Sequence, residues 1–291
     1  MGTQFDIYAN VTNRIIEEME QGRLPWEKDW ICAGGIINRV SKKAYSGINI
    51  LILGLAGMAY SSQQWLTFKQ AKELGGSIRK GEKGTRIVFY KNRVIKDEAD
   101  PDNDKTIPVL RTYTVFNIEQ CEDIEAYKME SNNGESETPL YDFVQELARA
   151  NEIRMTYGDP AYSESADVVR MLQLSEFRTE AGYAQAATHE FTHWTGAAKR
   201  LGRFKEFEEE FTTHREAYAR EELVAELGSA FFSVYLGIPS VTTHAAYLQA
   251  WIKALRGDKK FIFSAAADAN RALMLLHPAM FRAKDLEGED E

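Results

Sequence analysis

Apolar residues recur at helical spacing from the start of the chain. Between Asp6 and Glu20 the positions Ile7, Val11, Ile15, Ile16 and Met19 share one face, and Gly22 and Pro25 end the run, which predicts a surface helix. INILILGLAGMAY (48–60) is apolar all round and reads as a buried helix, with WLTFKQAKELG after it as a second helix sharing its core. SIRKGEKGTRIVFYKNRVI then alternates and turns at Gly81 and Gly84, the pattern of strands in a hairpin. A charged, turn-rich insertion, KDEADPDNDKT, precedes the return strand VLRTYTVFNIEQC.

Residues 128–139 are polar, small and acidic; too little apolar surface is available there to offset the entropy of ordering, so the segment reads as a linker. Beyond it a helix is expected over 140–153, and AYSESADVVRMLQL predicts a short hairpin with Asp167 in its turn. Four helices follow, at about 180–197, 213–236, 240–256 and 263–276, with Gly237 and Pro239 separating two of them. The organisation is therefore 1–127, a linker at 128–139, and 140–291.

Composition narrows the function classes. A chain of 291 residues with 44% hydrophobic and 27% charged residues is long enough for two cores. No apolar run reaches the roughly 18 to 20 residues of a membrane helix, and the start lacks the basic-then-apolar order of a signal peptide. Cys32 and Cys121 are the only cysteines, too few for a disulfide scaffold. The expected compartment is the cytoplasm, with no membrane partner.

Charge divides the chain. The net charge is −9, yet Arg39 to Lys96 holds 12 Lys or Arg against 2 Glu, a local +10 that leaves −19 for the remainder. Lys42, Lys43, Lys69, Lys72, Arg79, Lys80, Lys83 and Arg86 are phosphate-binding charges, interleaved with Tyr45, Trp65 and Phe68 on which bases could stack. Neither a Walker-type loop nor a recognition-helix pattern accompanies them, so the implied polyanion binding is independent of sequence and sensitive to salt. The competing reading is a solvated charged face with Trp65 and Phe68 in the core.

The stretch THEFTHWTG (188–196) carries the most specific signal. With 5 histidines in 291 residues, an accidental H-E-x-x-H is rare. On a helix, His189 and His193 face the same way as metal ligands, and Glu190 borders the same cleft as a general base for water. A third ligand is expected from YAREELVAELGSAFF on the next long helix. There Glu222 is the favoured ligand, Glu226 the carboxylate that orients a ligand histidine, and Glu221 is expected to diverge toward solvent; the reverse assignment of Glu222 and Glu226 stays open. Zinc is the default ion and other divalent ions are possible. The plainer reading makes Glu222 and Glu226 a solvated acidic face paired to Arg215 or Arg220. His214, His244 and His277 read as structural. Tyr183 and Tyr218 are within reach of the cleft but read as packing.

On these segments the chain resembles the ArdC-type anti-restriction proteins of plasmids and phages over nearly its whole length. LPWEKDW, AYSGINILIL, WLTFKQAKELGGSIRKGEKG and TVFNIEQC are similar to their single-stranded-DNA-binding domain; HEFTHWTGAAKRLGR and YAREELVAELGSAFF are similar to their zincin-like metallopeptidase domain. The resemblance implies an α+β protein of two domains, a small α/β single-stranded-DNA-binding domain and a mainly helical zincin-like domain with a short sheet. It implies His189, His193 and Glu222 as metal ligands, Glu190 as general base, and Trp194, Thr195, Gly196, Arg200 and Leu201 as an extension of the motif; by its residue type Gly196 reads as the helix terminator and Trp194 as a packing anchor beside the site. It also implies protection of entering DNA from restriction, with single-stranded DNA and a possible protein substrate as partners. The alternative is a DNA-masking protein whose metal domain is structural or protein-binding, without turnover.

Overall fold

The computed structural model describes residues 6–26, 35–95, 105–127, 139–205, 214–239 and 247–278. The N-terminal part is α/β. Helix α1 (Ile7–Glu20) is capped by Asp6, whose carboxylate accepts from the Tyr8 and Ala9 amides, and it buries the expected stripe from Ile7 to Met19. Helix α2 (Ile48–Gly57) is buried on nearly every side, as its unbroken apolar run requires. Four strands, β1 (Ile37–Asn38), β2 (Gln64–Thr67), β4 (Thr85–Ile95) and β5 (Lys105–Asn117), form a sheet in the order β1-β2-β5-β4, with only β1 and β2 parallel. A second small sheet joins β3 (Ser77–Ile78) to β6 (Cys121–Glu122).

Two local expectations are corrected here. WLTFKQAKELG is not helical throughout: Gln64–Thr67 is an interior strand, and helix α3 (Phe68–Glu73) begins only after it. The signal is T-x-x-Q, because Thr67 and Gln70 form a reciprocal capping box that starts the helix at Phe68. The turn at Gly81 and Gly84 does not close a hairpin either, since β3 pairs with β6; the hairpin is β4 with β5. The insertion between those strands, at 96–104, lies outside the described residues, as do 128–138 of the expected linker.

The C-terminal part is mainly helical with one short sheet. It comprises α4 (Leu140–Ala150), β7 (Met155–Tyr157), β8 (Ala161–Ser163), β9 (Val168–Met171), α5 (Glu180–Thr195), α6 (His214–Leu236), α7 (Leu248–Gly257) and α8 (Phe261–Leu276). The sheet order is β7-β9-β8, and β8 and β9 make the expected antiparallel pair, with Asp167 in the turn at φ 48°. The expected start of α7 at 240, and His244 with it, falls outside the described residues.

One apolar core runs through both parts. Trp26 meets Trp251 edge to face at 6.0 Å, Tyr8 meets Phe263 at 4.7 Å, and Thr12 donates to the Lys259 carbonyl at 2.7 Å. Each aromatic pair contributes about 0.5–1.5 kcal/mol beyond the area it buries. Among the described residues no helix is long and apolar enough to cross a membrane.

Candidate metal centre

Helix α5 starts at Thr179, whose hydroxyl accepts the Gly182 amide, and is buried along almost its whole C-terminal half. It packs closely on α6. At the crossing, a Cβ on Gly228 would lie inside van der Waals contact of Thr192, so a glycine is what permits the approach. That approach brings carboxylates of α6 against the histidines of α5.

His189 Nε2 and His193 Nε2 are 3.1 Å apart. Glu222 closes the triangle, with Oε2 3.7 Å from His189 Nε2 and Oε1 3.5 Å from His193 Nε2. Ligands held at about 2.0–2.1 Å in a tetrahedron are roughly 3.3 Å from each other; the two nitrogens have that spacing, a different Glu222 oxygen faces each of them, and one donor atom from each of the three residues can be chosen so that all lie within 4.8 Å of one another. All three side chains are buried, and a His2Glu donor set suits a divalent metal. Glu190 stands beside them on a cleft of about 430 Å3, walled by Tyr162, Phe204, Tyr218 and Tyr247.

Behind the histidines lie two more carboxylates. Glu226 Oε1 is 3.9 Å from His189 Nδ1. Glu221 does not diverge toward solvent as the helical wheel suggested: it is 5% exposed and its Oε1 lies 3.2 Å from His193 Nδ1. The cause is Arg203, which sequence reading missed. Arg203 is fully buried and donates through Nε to Glu221 Oε2 at 3.0 Å and through Nη2 to Oε1 at 2.7 Å. A carboxylate with such a partner is drawn inward. The available signal was the basic run AAKRLGR directly after the motif, in which one arginine had to answer an acidic helix. Arg220, offered as a partner for Glu222 or Glu226, instead pairs with Asp268 at 2.9 Å.

Gly196 ends α5 at φ −73°, with no left-handed turn; what demands glycine is space, because a Cβ there would overlap Phe204 and sit 3.0 Å from Arg203 Nη2. Of the two tyrosines, Tyr218 lines the cleft, whereas Tyr183 takes a hydrogen bond from Gln145 at 2.9 Å and packs on Tyr141 and Phe177 away from it. His277 caps α8 and stacks on Phe143.

The basic residues are distributed over the N-terminal part. Lys42, Lys43, Lys69, Arg79, Lys80, Lys83 and Arg86 are all exposed, and Arg79 pairs with Glu82 at 2.9 Å. Tyr45 and Trp65, expected to stack on bases, are core residues. Trp65 sits on the interior strand β2 with no exposed area and meets Tyr60 edge to face, and Tyr45 is 8% exposed. Neither offers a ring face to a base. Phe68 does, at 51% exposed, with Lys72 Nζ 4.9 Å from its ring centre.

Residues 5–116 match the family described as the N-terminal domain of anti-restriction factor ArdC, and residues 142–268 match the zincin-like metallopeptidase family. The metal-free crystal structure of antirestriction ArdC protein from the R388 plasmid superposes with a TM-score of 0.76 at 36% identity, covering 94% of this chain and 97% of that one. The chain belongs to the ArdC anti-restriction family. The Mn(II)-bound structure of R388 ArdC matches over 96% of this chain and 100% of that one, at 36% identity and a TM-score of 0.75. The protein y4eC of Sinorhizobium fredii is 33% identical over 94% of this chain and 92% of its own length. Two DNA primases TraC of Escherichia coli are 32% and 33% identical over 91% and 90% of the chain, which spans only 26% and 19% of their length.

The ArdC-family site concentrates negative charge around its imidazoles. Burial opposes a charge on His193, but hydrogen bonds to Glu221 and Glu222 and the charges of Glu221 and Glu190 outweigh it and push its pKa up to about 10. Burial likewise opposes ionisation of Glu222, and His193, His189 and the Tyr218 hydroxyl overcome it, bringing its pKa down to about 2. Arg203 and His193 hold Glu221 below the usual carboxylate range in the same manner. The pocket is built to hold a cation.

Proposed function

We propose that this is an anti-restriction protein of mobile DNA that works in the cytoplasm. Residues 1–127 hold single-stranded DNA without sequence specificity through their exposed basic side chains, 128–139 are the linker, and 140–291 carry a metal-dependent peptidase site. The observation that carries the reading is the His189, His193 and Glu222 triangle, spaced for one ion against a cleft that Glu190 borders. Zinc suits the donor set, and other divalent ions, Mn(II) among them, fit it as well.

A divalent ion held there supplies a Lewis acid for water and for a scissile carbonyl. Glu190 takes a proton from the attacking water and hands it to the leaving amine. Tyr218, hydrogen-bonded to Glu222 on the cleft wall, keeps that carboxylate oriented. Phe204, Tyr162 and Tyr247 wall the cleft and restrict water around a bound chain.

Glu190→Gln tests the reading in the full-length chain. Metal uptake and single-stranded DNA affinity stay within about twofold of wild type, while protein hydrolysis and protection of entering DNA fall by about 100-fold or more. Full protection by Glu190→Gln would mean that hydrolysis is dispensable and that the chain acts by masking DNA.

A further inference from the structure

We infer that Glu221, locked by Arg203, is the positioning residue that aims His193 at the metal, and that the residues following the H-E-x-x-H motif exist to seat this arginine. The inference rests on the metal reading above and adds how one of its ligands is oriented.

The geometry leaves His193 one arrangement. Its Nδ1 faces Glu221 Oε1 at 3.2 Å, while its Nε2 faces His189 Nε2 at 3.1 Å and Glu222 Oε1 at 3.5 Å. A carboxylate opposite Nδ1 requires the N–H on that side and leaves the Nε2 lone pair for the ion. Glu221 itself is no substitute ligand, because both of its oxygens accept from Arg203.

Arg203 is fixed in turn by the segment that the motif introduces. Nη1 donates to Thr195 Oγ1 at 2.9 Å and Nη2 to the Thr192 carbonyl at 2.8 Å, so all three of its nitrogens are engaged. Gly196 supplies the space in which the guanidinium lies, since a Cβ there would come within 3.0 Å of Nη2. Thr192, Thr195, Gly196 and Arg203 thus form a socket on the far side of Glu221 from the metal ligands. A forked guanidinium fixes a carboxylate in both direction and plane, which a lysine would not do. His189 has a carboxylate on its own Nδ1 side, Glu226 at 3.9 Å. Each ligand histidine is therefore backed by an acid, and His193 has the closer one.

Two measurements on the full-length chain decide the matter. In the zinc-loaded wild type, nitrogen-15 spectra of the histidine rings should show His193 bound to metal through Nε2, with a slowly exchanging proton on Nδ1. Coordination through Nδ1, or a rapidly exchanging Nδ1 proton, would overturn the inference. In titrations with zinc and with Mn(II), Glu221→Gln turns an amide N–H toward the arginine and leaves the buried guanidinium without its counter-charge; its metal-free melting temperature should fall, and at a temperature where it is folded it should bind either ion about 10–100-fold more weakly than wild type. Wild-type affinity in Glu221→Gln overturns the inference and leaves the metal reading standing. A wild-type chain that takes up neither ion overturns both. Should Glu221→Gln fail to fold, the wild-type spectrum decides alone.

Discussion

His189 and His193 are neighbours because they lie one turn apart on one helix, a relation contained in five consecutive residues. The basic residues of the N-terminal part are placed differently: Lys42 lies before α2, Lys69 on α3, Lys83 in the loop before β4 and Arg86 on β4, on elements distant in sequence. A site of the first kind is readable from local spacing. In a site of the second kind, charge can be counted in advance, but which side chains remain outside is decided by partners distant in sequence.

The sharpest test of the first region is to remove a ligand. His193→Ala takes away one of the three donors, and a His2Glu site reduced to two ligands should lose metal affinity by more than about 100-fold, read by zinc titration of the purified chain. Single-stranded DNA binding should be untouched, because the exposed basic side chains belong to the other part of the molecule. A His193→Ala protein that binds zinc as wild type does would show that the triangle of donor atoms is not the metal site.

The second region is tested by contrasting two aromatics only three residues apart. Trp65→Ala empties a fully buried position and should cost about 3–5 kcal/mol of stability, measured by denaturant unfolding. Phe68→Ala should leave stability within about 0.5 kcal/mol and weaken single-stranded DNA binding by about 1 kcal/mol or more, the scale of one lost base stack. Replacing Lys69, Lys80 and Lys83 together by Gln should lower the salt slope of that binding by about 2, at roughly 0.7 per phosphate contact. A reversed pattern, with Trp65→Ala stable and defective in DNA binding, would break the assignment of β2 to the core.

These contrasts explain what was legible in advance. The stripe of α1, the buried run of α2 and the pairing of β8 with β9 follow from periodicities within one segment, and all three are present. Trp65 is harder to place, because W-L-T before a capping box reads as part of the following helix until β1 and β5 close on either side of it. Glu221 is hidden from the sequence for a related reason. A helical wheel places it beside Glu222, but only a tertiary partner, Arg203, makes burial of that carboxylate favourable.

The smallest expected effect separates the two regions by pH. In each, an acid is held by an arginine. Asp167 accepts from Arg200, Lys199 and Tyr162, which overcome the opposing effect of burial and hold it well below the usual carboxylate range. Glu82 accepts from Gln120 and Arg79 at the surface, and its pKa is also lowered. A depressed folded pKa stabilises above the unfolded value, and the contribution is lost as pH falls through the folded one. For Asp167 the contribution is fully present above about pH 4, the unfolded value, and disappears in strong acid. Its carboxylate is partly covered, and the half-buried Arg200 lies over the Trp194 ring at 3.8 Å, so solvent screens this pair less than an exposed one. Asp167→Asn should therefore lower the melting temperature measurably at pH 7, by no more than about 1–2 kcal/mol in stability, and the difference from wild type should shrink toward pH 2. Glu82→Gln should shift the melting temperature less at pH 7, and what shift there is should vanish in high salt. Equal, salt-independent shifts for the two variants would mean that the β8–β9 turn is no better shielded from solvent than the loop at Glu82.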